Sequence, residues 1–207
     1  MPQNSLLIGL ASLLGLGLTV YMWIVVIRAV ITWVNPHPGN PIVQFLTRIT
    51  DPPLYYIRRS GLPVWFAGLD FSPVVLIFLL VFLNDFLVRG LKMFGQGASV
   101  GILLPLFLLS LLGLARTVLF LYLMVIMVRA VISWISPDPY NPIVRAVYAM
   151  TEPLLYRLRR ALPLVFGGLD LSPLVALLGL YLLMHLVDLL TVQLLGPGQF
   201  LGPGRMF

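Results

Sequence analysis

Apolar residues along this chain gather in long stretches, and polar or mixed segments separate them. Four of the stretches are long enough to cross the hydrocarbon core of a bilayer, for which a helix needs about 20 apolar residues. Each is predicted to be a transmembrane helix, because a helix satisfies its own backbone hydrogen bonds in lipid. The four stretches cover residues 6–34, 72–91, 113–135 and 172–195.

One apolar segment, residues 102–112, exceeds what the third helix needs, and it contains Pro105. A single helix over residues 101–135 would be about 52 Å long, whereas the hydrocarbon core is about 30 Å thick. Two interpretations stay open. The segment either extends the third helix, which then tilts, or forms a separate interfacial piece that ends before Gly113.

The loop that follows each odd-numbered span has an amphipathic pattern. In the first loop the apolar residues fall on one face of a helix, at Ile42, Phe45, Leu46 and Ile49. The sequence Thr50-Asp51-Pro52 then predicts the start of a second short helix. Each loop is therefore predicted to form two short helices at the membrane interface, with their apolar faces toward lipid or the spans.

Signals for helix starts recur at matching points of the two halves. An asparagine followed by proline opens each loop helix, and this pair combines a capping residue with a proline at the first helical position. A serine followed by proline opens each returning span. The predicted caps are Asn40, Pro41, Asn141, Pro142, Ser72, Pro73, Ser172 and Pro173.

These signals recur because the chain contains one unit twice. Residues 28–59 and 129–160 align at an offset of 101, and 17 of the 32 positions are identical. Beyond them the offset is 100. Each unit crosses the membrane twice, so the two repeats run parallel rather than inverted. We predict an all-α membrane protein with two transmembrane helices and an amphipathic interfacial segment in each repeat, the repeats being residues 1–95 and 96–207.

Composition excludes a soluble protein. Hydrophobic residues make up 60% of the 207 residues and charged residues 10%, whereas soluble domains have roughly 45–50% and about 25%. The chain has no cysteine, which excludes disulfides, thiolate metal sites and thiol catalysis. No phosphate-binding loop, nucleophile elbow or zinc-protease motif occurs. We therefore expect no enzymatic activity, no metal and no cofactor.

Basic residues are shared unevenly between the two faces of this topology. Seven arginines lie in the two amphipathic loops, against three basic residues on the opposite face. Since cytoplasmic loops carry an excess of lysine and arginine, we place both loops in the cytoplasm and both termini outside. The net charge of +6 is then explained by orientation and contact with anionic lipid, and nucleic acid is not an expected partner.

Charged residues at one end of the spans predict an inner layer of ion pairs. Arg28 and Arg129 lie at the level of Asp70 and Asp170, and an ionised group inside a span costs a few kcal/mol unless it is paired. We predict that Arg28 pairs with Asp70 and Arg129 with Asp170. The alternatives are arginines that extend to the headgroups, aspartates that cap the next helix, and an ion or proton path.

A second, outer layer is predicted nearer the opposite face. Asp85 and Asp188 lie about 20 and 24 Å beyond the start of their spans, at the expected level of Arg116. Arg116 is predicted to pair with Asp85 or Asp188, while Arg89 is an alternative partner for Asp85 at four residues' distance. His185 has no histidine at the matching position of the first repeat, so it is not predicted to be a ligand.

Two pairs of adjacent arginines end the amphipathic loops, Arg58-Arg59 and Arg159-Arg160. They are predicted to bind anionic lipid headgroups or the acidic surface of a partner, or only to set the orientation. The expected partners are the lipid bilayer and other membrane proteins or a second copy of the chain.

Three motifs, each present twice, resemble those of the YggT family of bacterial membrane proteins. They are W-x-x-P-x-P-x-N-P-I-V, T-[DE]-P-x-L-Y-x-x-R-R and G-G-L-D-x-S-P, with alanine for the first glycine in one copy. The resemblance implies a protein of the bacterial cytoplasmic membrane, with no established catalytic residues. Plastid relatives are linked to cytochrome b-f assembly and nucleoid distribution, and bacterial relatives to cell division neighbourhoods and osmotic tolerance.

Two functions follow as hypotheses. The absence of catalytic motifs, the excess of apolar surface and the arginine-edged loops favour a scaffold, accessory subunit or assembly factor for a larger membrane complex. The alternative is a small channel or transporter for ions or osmolytes, which needs polar residues along a continuous path.

Overall fold

The structure, a computed structural model, describes residues 4–34, 39–66, 68–135, 138, 140–163, 165–166 and 169–195. Apart from two pairings of two-residue strands, its regular elements are helices. Four helical segments are long and apolar enough to cross a membrane, so the predicted all-α membrane fold is confirmed. These segments are Ser5–Ile31, Ser72–Gly95, Val100–Ser133 and Ser172–Leu195.

The first repeat consists of two spans with an amphipathic helix and a short hairpin between them. The second span is interrupted by one π-turn, which divides it into two α-helical parts. The elements are α1 (Ser5–Val34), α2 (Pro41–Arg59), β1 (Trp65–Phe66), β2 (Leu69–Asp70), α3 (Ser72–Leu83), the π-turn (Asn84–Val88) and α4 (Arg89–Gly95).

The second repeat follows the same order, and its second span is one unbroken helix. The elements are a 3-10 turn (Val100–Ile102), α5 (Leu103–Ile135), α6 (Pro142–Ala161), β3 (Val165–Phe166), β4 (Leu169–Asp170) and α7 (Ser172–Leu195). Residues 103–112 belong to α5, so the interpretation as a separate interfacial piece is wrong. Pro105 fits because it lies in the first helical turn, where a backbone N–H has no partner within the helix.

Each amphipathic loop forms one helix, so the prediction of two short helices is wrong. Thr50 does not cap a new helix, because its hydroxyl donates to the Leu46 carbonyl at 2.8 Å, within the turn before it. Thr151 does the same with the Val147 carbonyl at 2.7 Å. One buried face runs through the expected break, since Leu46, Thr50 and Leu54 are all buried.

A tyrosine from the first span compensates the helix for one of its two internal prolines. Pro53 has no N–H, so the Ile49 carbonyl four residues earlier lacks its usual helical partner. The Tyr21 hydroxyl donates to that carbonyl at 3.2 Å. In the second repeat the Tyr122 hydroxyl donates to the Met150 carbonyl at 3.1 Å. Both bonds also fix α2 and α6 against their neighbouring spans.

The two repeats build matching cores where the amphipathic helix meets its spans. The first core contains Val25, Leu54, Leu76 and Leu80, and the second contains Ile126, Leu155, Ala176 and Leu180. Each member of the second core lies 100 or 101 residues after its counterpart, at the offsets of the sequence repeat. The amphipathic helices therefore pack their buried faces on the spans.

Contacts between the second and third spans join the repeats. Phe82 lies beside Phe86, and both rings meet the edge of Phe107 on α5, at centroid distances of 5.6 and 5.8 Å. Gly90 lets α5 come close, since an added Cβ would lie 3.2 Å from Leu106. These contacts hold α5 against the same span that contains the π-turn.

Candidate functional site

The end of the first repeat that the sequence predicts to be the inner one contains Asp70, which lies at the end of the hairpin and is 5% exposed. Its Oδ2 accepts from Nε and Nη2 of Arg58, at 3.0 and 2.6 Å. Its Oδ1 accepts from the backbone N–H of Ser72, the first residue of α3, at 2.9 Å. One carboxylate thus joins the end of α2 to the start of the returning span, and we call this group the inner clamp.

The second repeat has the same clamp with one addition. Asp170 Oδ2 accepts from Arg159 at 2.8 Å, and its Oδ1 accepts from the Ser172 N–H at 2.8 Å. Arg159 also binds Glu152, which lies two helical turns earlier on the same face of α6. Asp170 is more open than its counterpart, with 30% of its side chain exposed.

The predicted inner ion pairs are therefore wrong, because each aspartate binds a different arginine from the one predicted. Asp70 takes Arg58 rather than Arg28, and Asp170 takes Arg159 rather than Arg129. Arg28 instead lies 3.8 Å from Asp51. The reason is chain connectivity, since Arg58 and Arg159 lie near the ends of α2 and α6, only 12 and 11 residues before the aspartates that they bind.

Arg129 has a different environment from Arg28. Its guanidinium carbon lies 3.6 Å from the centroid of the Tyr148 ring, a cation–π geometry. The matching position of the first repeat is Thr47, which offers no ring. Each span-ending arginine thus has a partner on its own amphipathic helix.

The predicted caps divide into two kinds. Asn40 and Asn141 each accept the backbone N–H two residues later, Ile42 and Ile143, at 2.9 Å. At the returning span the aspartate is the capping side chain. No side-chain cap bond comes from Phe71, the residue before α3, and Ser72 is already helical.

Pro41, Pro73 and Pro173 lie in the first turns of their helices, as does the backbone of Pro142, whose side chain is outside the described residues.

The clamp shifts the acidity of Asp170. Burial alone would raise its pKa, but hydrogen bonds from Ser172 and Arg159, together with the arginine's charge, outweigh that effect and lower it. The ionised carboxylate is consequently the form that the folded protein favours.

The outer layer brings together the remaining predicted charges. Arg116 Nε donates to Asp188 Oδ1 at 2.7 Å, which joins α5 to α7. Asp85 binds Arg89, four residues later, and its Oδ2 accepts from the Ser110 hydroxyl at 2.7 Å. Of the two partners predicted for Arg116, the structure places Asp188 beside it.

Both outer ion pairs line one cleft of about 370 Å³ between the second, third and fourth spans. Its polar lining comprises Asp85, Arg89, Ser110, Arg116, Thr117, Asp188 and Thr191. Asp188 lies seven residues before the end of α7, which is about 10 Å along the helix. Within the part of the chain that the structure describes, no three His, Asp or Glu side chains are placed to hold a metal ion. We call this feature the outer cleft.

In the first repeat, close packing takes the place of the ion pair that lines the outer cleft. Gly15 and Val88 occupy the positions that match Arg116 and Asp188 at the repeat offsets. They are packed so closely that a Cβ on Gly15 would lie 3.3 Å from a Val88 methyl group. The first span is held to the second there by a hydrogen bond from Asn84 to Thr19 at 3.2 Å.

The four arginines predicted for docking are not equivalent. Arg58 and Arg159 are engaged in the inner clamps, because each is within reach of its aspartate. Arg59 and Arg160 are exposed, and the Arg59 guanidinium carbon lies 4.4 Å from the Tyr55 ring centroid. Only the second arginine of each pair therefore remains open for a partner.

Sequence reasoning missed Tyr21, Tyr122, Ser110 and Glu152 as contact residues. A signal existed for the tyrosines, since they lie 101 residues apart, at the offset of the repeat.

Comparison with known families identifies the duplicated unit. A family model described as CCB3/YggT matches residues 7–91 and again residues 108–191. The chain belongs to the CCB3/YggT family. The YggT resemblance of the repeated motifs is thereby confirmed, while the exact repeat boundaries at residues 95 and 96 stay a prediction.

Relatives of this CCB3/YggT protein occur in several bacteria. It is 33% identical to a Pseudomonas aeruginosa protein named only as uncharacterized. The alignment spans 175 residues, or 84% of each chain. It is 29% identical over 197 residues to YggT of Escherichia coli, covering 94% of this chain and 96% of that one. A Haemophilus influenzae relative is 32% identical over 191 residues, or 92% and 94% of the two chains. No solved structure matches.

Proposed function

We propose that this protein is a non-enzymatic scaffold, accessory subunit or assembly factor for a larger complex in the bacterial cytoplasmic membrane. The observation that carries this proposal is the pair of clamped amphipathic helices. Each is fixed to its spans by a buried face, a tyrosine hydroxyl and an ion pair, and each leaves an arginine exposed. A surface that is already rigid loses little conformational entropy when a partner binds.

The docking surface that we assign consists of the exposed side chains of α2 and α6 near their ends. Tyr56 and Tyr156 are 74% and 58% exposed, beside Arg59 and Arg160. Tyrosine and arginine are enriched at protein interfaces, and arginine also binds acidic side chains in a fixed geometry. A partner with an acidic, interfacial segment fits this surface.

In this proposal both amphipathic helices face the cytoplasm. Their excess of arginine supports that orientation. The terminal residues 1–3 and 196–207, which we place outside the cell, lie beyond the described residues. Cysteines introduced singly at Gly39 and Tyr140 should then resist an impermeant maleimide in intact cells, whereas one at Gln199, also outside the described residues, should react.

The decisive experiment separates docking from clamping. The variant Arg59→Gln with Arg160→Gln removes the two exposed arginines that the repeats share. Purified in mild detergent, it should keep its fold and topology but lose proteins that co-purify with the wild type, as measured by mass spectrometry. Arg48→Gln with Arg145→Gln is the matched control, because it removes two exposed charges from the same helices at positions that the repeats do not share.

The proposal is contradicted if the two variants retain the same co-purifying proteins in equal amounts. Cysteine labelling of both variants checks that the loss of charge has not inverted the protein.

A second candidate function is a channel or transporter for ions or small osmolytes, and the outer cleft is the observation that favours it. Between the cleft and the amphipathic helices, the described residues form the two packed apolar cores. The cleft does not continue through these cores. A selective flux through purified protein that is lost on Asp188→Asn would favour this candidate over the scaffold.

A further inference from the structure

The outer cleft exposes charges inside a membrane span. The side chains of Arg116 and Asp188 are 52% and 46% exposed, although α5 and α7 are apolar over most of their length. An ionised group costs several kcal/mol when it meets only hydrocarbon. The ion pair reduces that cost, but atoms that point away from the pair still need a polar environment.

Several charged atoms of the cleft have no partner within the part of the chain that the structure describes. Arg116 binds through Nε alone, which leaves both Nη groups open, and Asp188 binds through Oδ1 alone, which leaves Oδ2 open. Arg89 similarly uses one Nη group for Asp85. The cleft therefore presents guanidinium donors and a carboxylate acceptor while its net charge is zero.

The fold itself does not require these charges. The first repeat forms the same helix pair with Gly15 and Val88 at the matching positions. The π-turn at Asn84–Val88 lies on the other wall of the cleft and contains Asp85. Such turns often occur at functional sites. The ion pair of the second repeat is thus replaced by simple packing in the first, and it lies opposite an irregular turn. Together these two features indicate that the outer cleft has a binding role.

We propose that the outer cleft binds a compact phosphate–ammonium zwitterion. Two guanidinium groups line it, and guanidinium matches phosphate oxygens in a fork geometry. Asp188 Oδ2 accepts from the ammonium group, as do the hydroxyl oxygens of Thr117 and Thr191, whose own protons bind helix carbonyls. A zwitterion satisfies both signs of charge without adding net charge to the membrane.

The size of the cleft agrees with this occupant. Its volume of 370 Å³ equals that of about 12 water molecules at about 30 Å³ each, enough for a phosphoethanolamine group. Two sources offer this chemistry: the headgroup of phosphatidylethanolamine, which would descend about 10 Å from the end of α7, and a free phosphoethanolamine ester. This binding is independent of docking at α2 and α6.

The first experiment tests the free zwitterion. The full chain is placed in nanodiscs of phosphatidylglycerol alone and titrated calorimetrically with glycerophosphoethanolamine. Ethanolamine, a cation, and glycerophosphoglycerol, an anionic phosphodiester, serve as probes with one charge each. We expect the zwitterion to bind at least about tenfold more tightly than either probe, because each probe leaves one set of charged atoms unpaired.

The second experiment tests the lipid headgroup. The chain is placed in nanodiscs with equal amounts of phosphatidylglycerol and phosphatidylethanolamine, and the lipid that stays bound after release into detergent is measured by native mass spectrometry. Retained phosphatidylethanolamine that glycerophosphoethanolamine displaces identifies the lipid as occupant. Binding of the soluble probe without lipid retention identifies a free solute.

The matched variant carries the first repeat's residues in the second, Arg116→Gly with Asp188→Val. It should fold, as the first repeat does, and lose binding in both experiments. Asp188→Asn is the second variant, which keeps the side chain's size and should weaken zwitterion binding about tenfold. The proposal is overturned if wild type binds neither form at about 10 mM, if either single-charge probe binds as well as the zwitterion, or if Asp188→Asn binds like the wild type.

Discussion

The two repeats are alike at the inner end and unlike at the outer end. At the inner end both have an arginine, an aspartate and a helix start joined in one clamp, and both have a tyrosine that binds the amphipathic helix. At the outer end one repeat has Gly15 against Val88, and the other has Arg116 bonded to Asp188. The difference teaches that the fold accommodates two different residue pairs at the outer positions, whereas both repeats retain the clamp.

Even the shared inner end contains a smaller difference. Asp51 of the first repeat matches Glu152 of the second. The longer Glu152 side chain binds Arg159 of the clamp, whereas Asp51 lies beside Arg28. In the second repeat Arg129 packs on Tyr148 instead. One added methylene and one added ring thus redistribute the ion pairs while the clamp itself is retained.

The largest expected effect on stability comes from breaking the clamp of the first repeat, whose aspartate is the more buried of the two. Asp70→Asn keeps an oxygen for the Ser72 N–H but removes the charge that pairs with Arg58. Because Asp70 is 5% exposed, we expect a loss of about 2–3 kcal/mol in the free energy of unfolding. Asp170→Asn should cost about 1 kcal/mol, because that pair is more exposed to water. Titration with dodecyl sulfate in mixed micelles, followed by circular dichroism, measures both.

Arg58→Gln in the Asp70→Asn background is the control, and it should cost little more, since the pair is already broken. Equal losses for Asp70→Asn and Asp170→Asn would contradict the difference in burial between the clamps.

A smaller effect is expected from the tyrosines. Tyr21→Phe removes the hydroxyl that takes the place of the N–H that Pro53 lacks, so we expect a loss of about 1–2 kcal/mol. Tyr122→Phe should cost less, because Leu154 has a backbone N–H at the position of Pro53 and the Met150 carbonyl can use it. The same unfolding titration applies, and a larger loss for Tyr122→Phe would show that the proline is not the cause.

The smallest effect is a dependence on pH. The folded-state pKa of Asp170 is lowered, so its clamp contributes stability above the ordinary aspartate pKa of about 3.9 and loses it as pH falls through the folded value. The difference in melting temperature between wild type and Asp170→Asn should be constant from about pH 7 to about pH 5 and shrink below about pH 4. A difference that instead grew on acidification would contradict the direction of the shift.

The periodicity and length of the apolar stretches correctly predicted the features that depend on neighbouring residues in the chain. The spans follow from apolar length, and the asparagine caps follow from a side chain that reaches only its own helix start. The inner pairs could not be predicted in this way. Depth along a span places Arg28 at the level of Asp70, but it does not show which side of the helix faces which neighbour, and Arg58 arrives from a helix that leads directly into the hairpin.

The continuity of α2 and α6 was also hidden from local reasoning. Thr50-Asp51-Pro52 resembles a helix start, and its prolines would break an isolated helix. The compensating hydroxyl comes from Tyr21, 28 residues before Ile49, so a contact with the first span supports the helix at this point. The π-turn at Asn84–Val88 is likewise invisible to a helical period.

The π-turn governs how the first repeat accommodates changes in chain length. The repeat's two spans are tied at both ends. At one end α2 joins them, through the Tyr21 hydroxyl to the first span and through the clamp to the second. At the other end the Asn4 N–H donates to the Gly95 carbonyl at 2.8 Å. A π-turn bonds five residues back rather than four, so it contains one residue more than an α-turn. Deleting one residue there restores a regular helix and leaves Gly95 beside Asn4, whereas a deletion in α1 draws Asn4 about 1.5 Å away. In descent from the duplicated ancestor, that turn is where this span can gain or lose a residue while its ends stay joined.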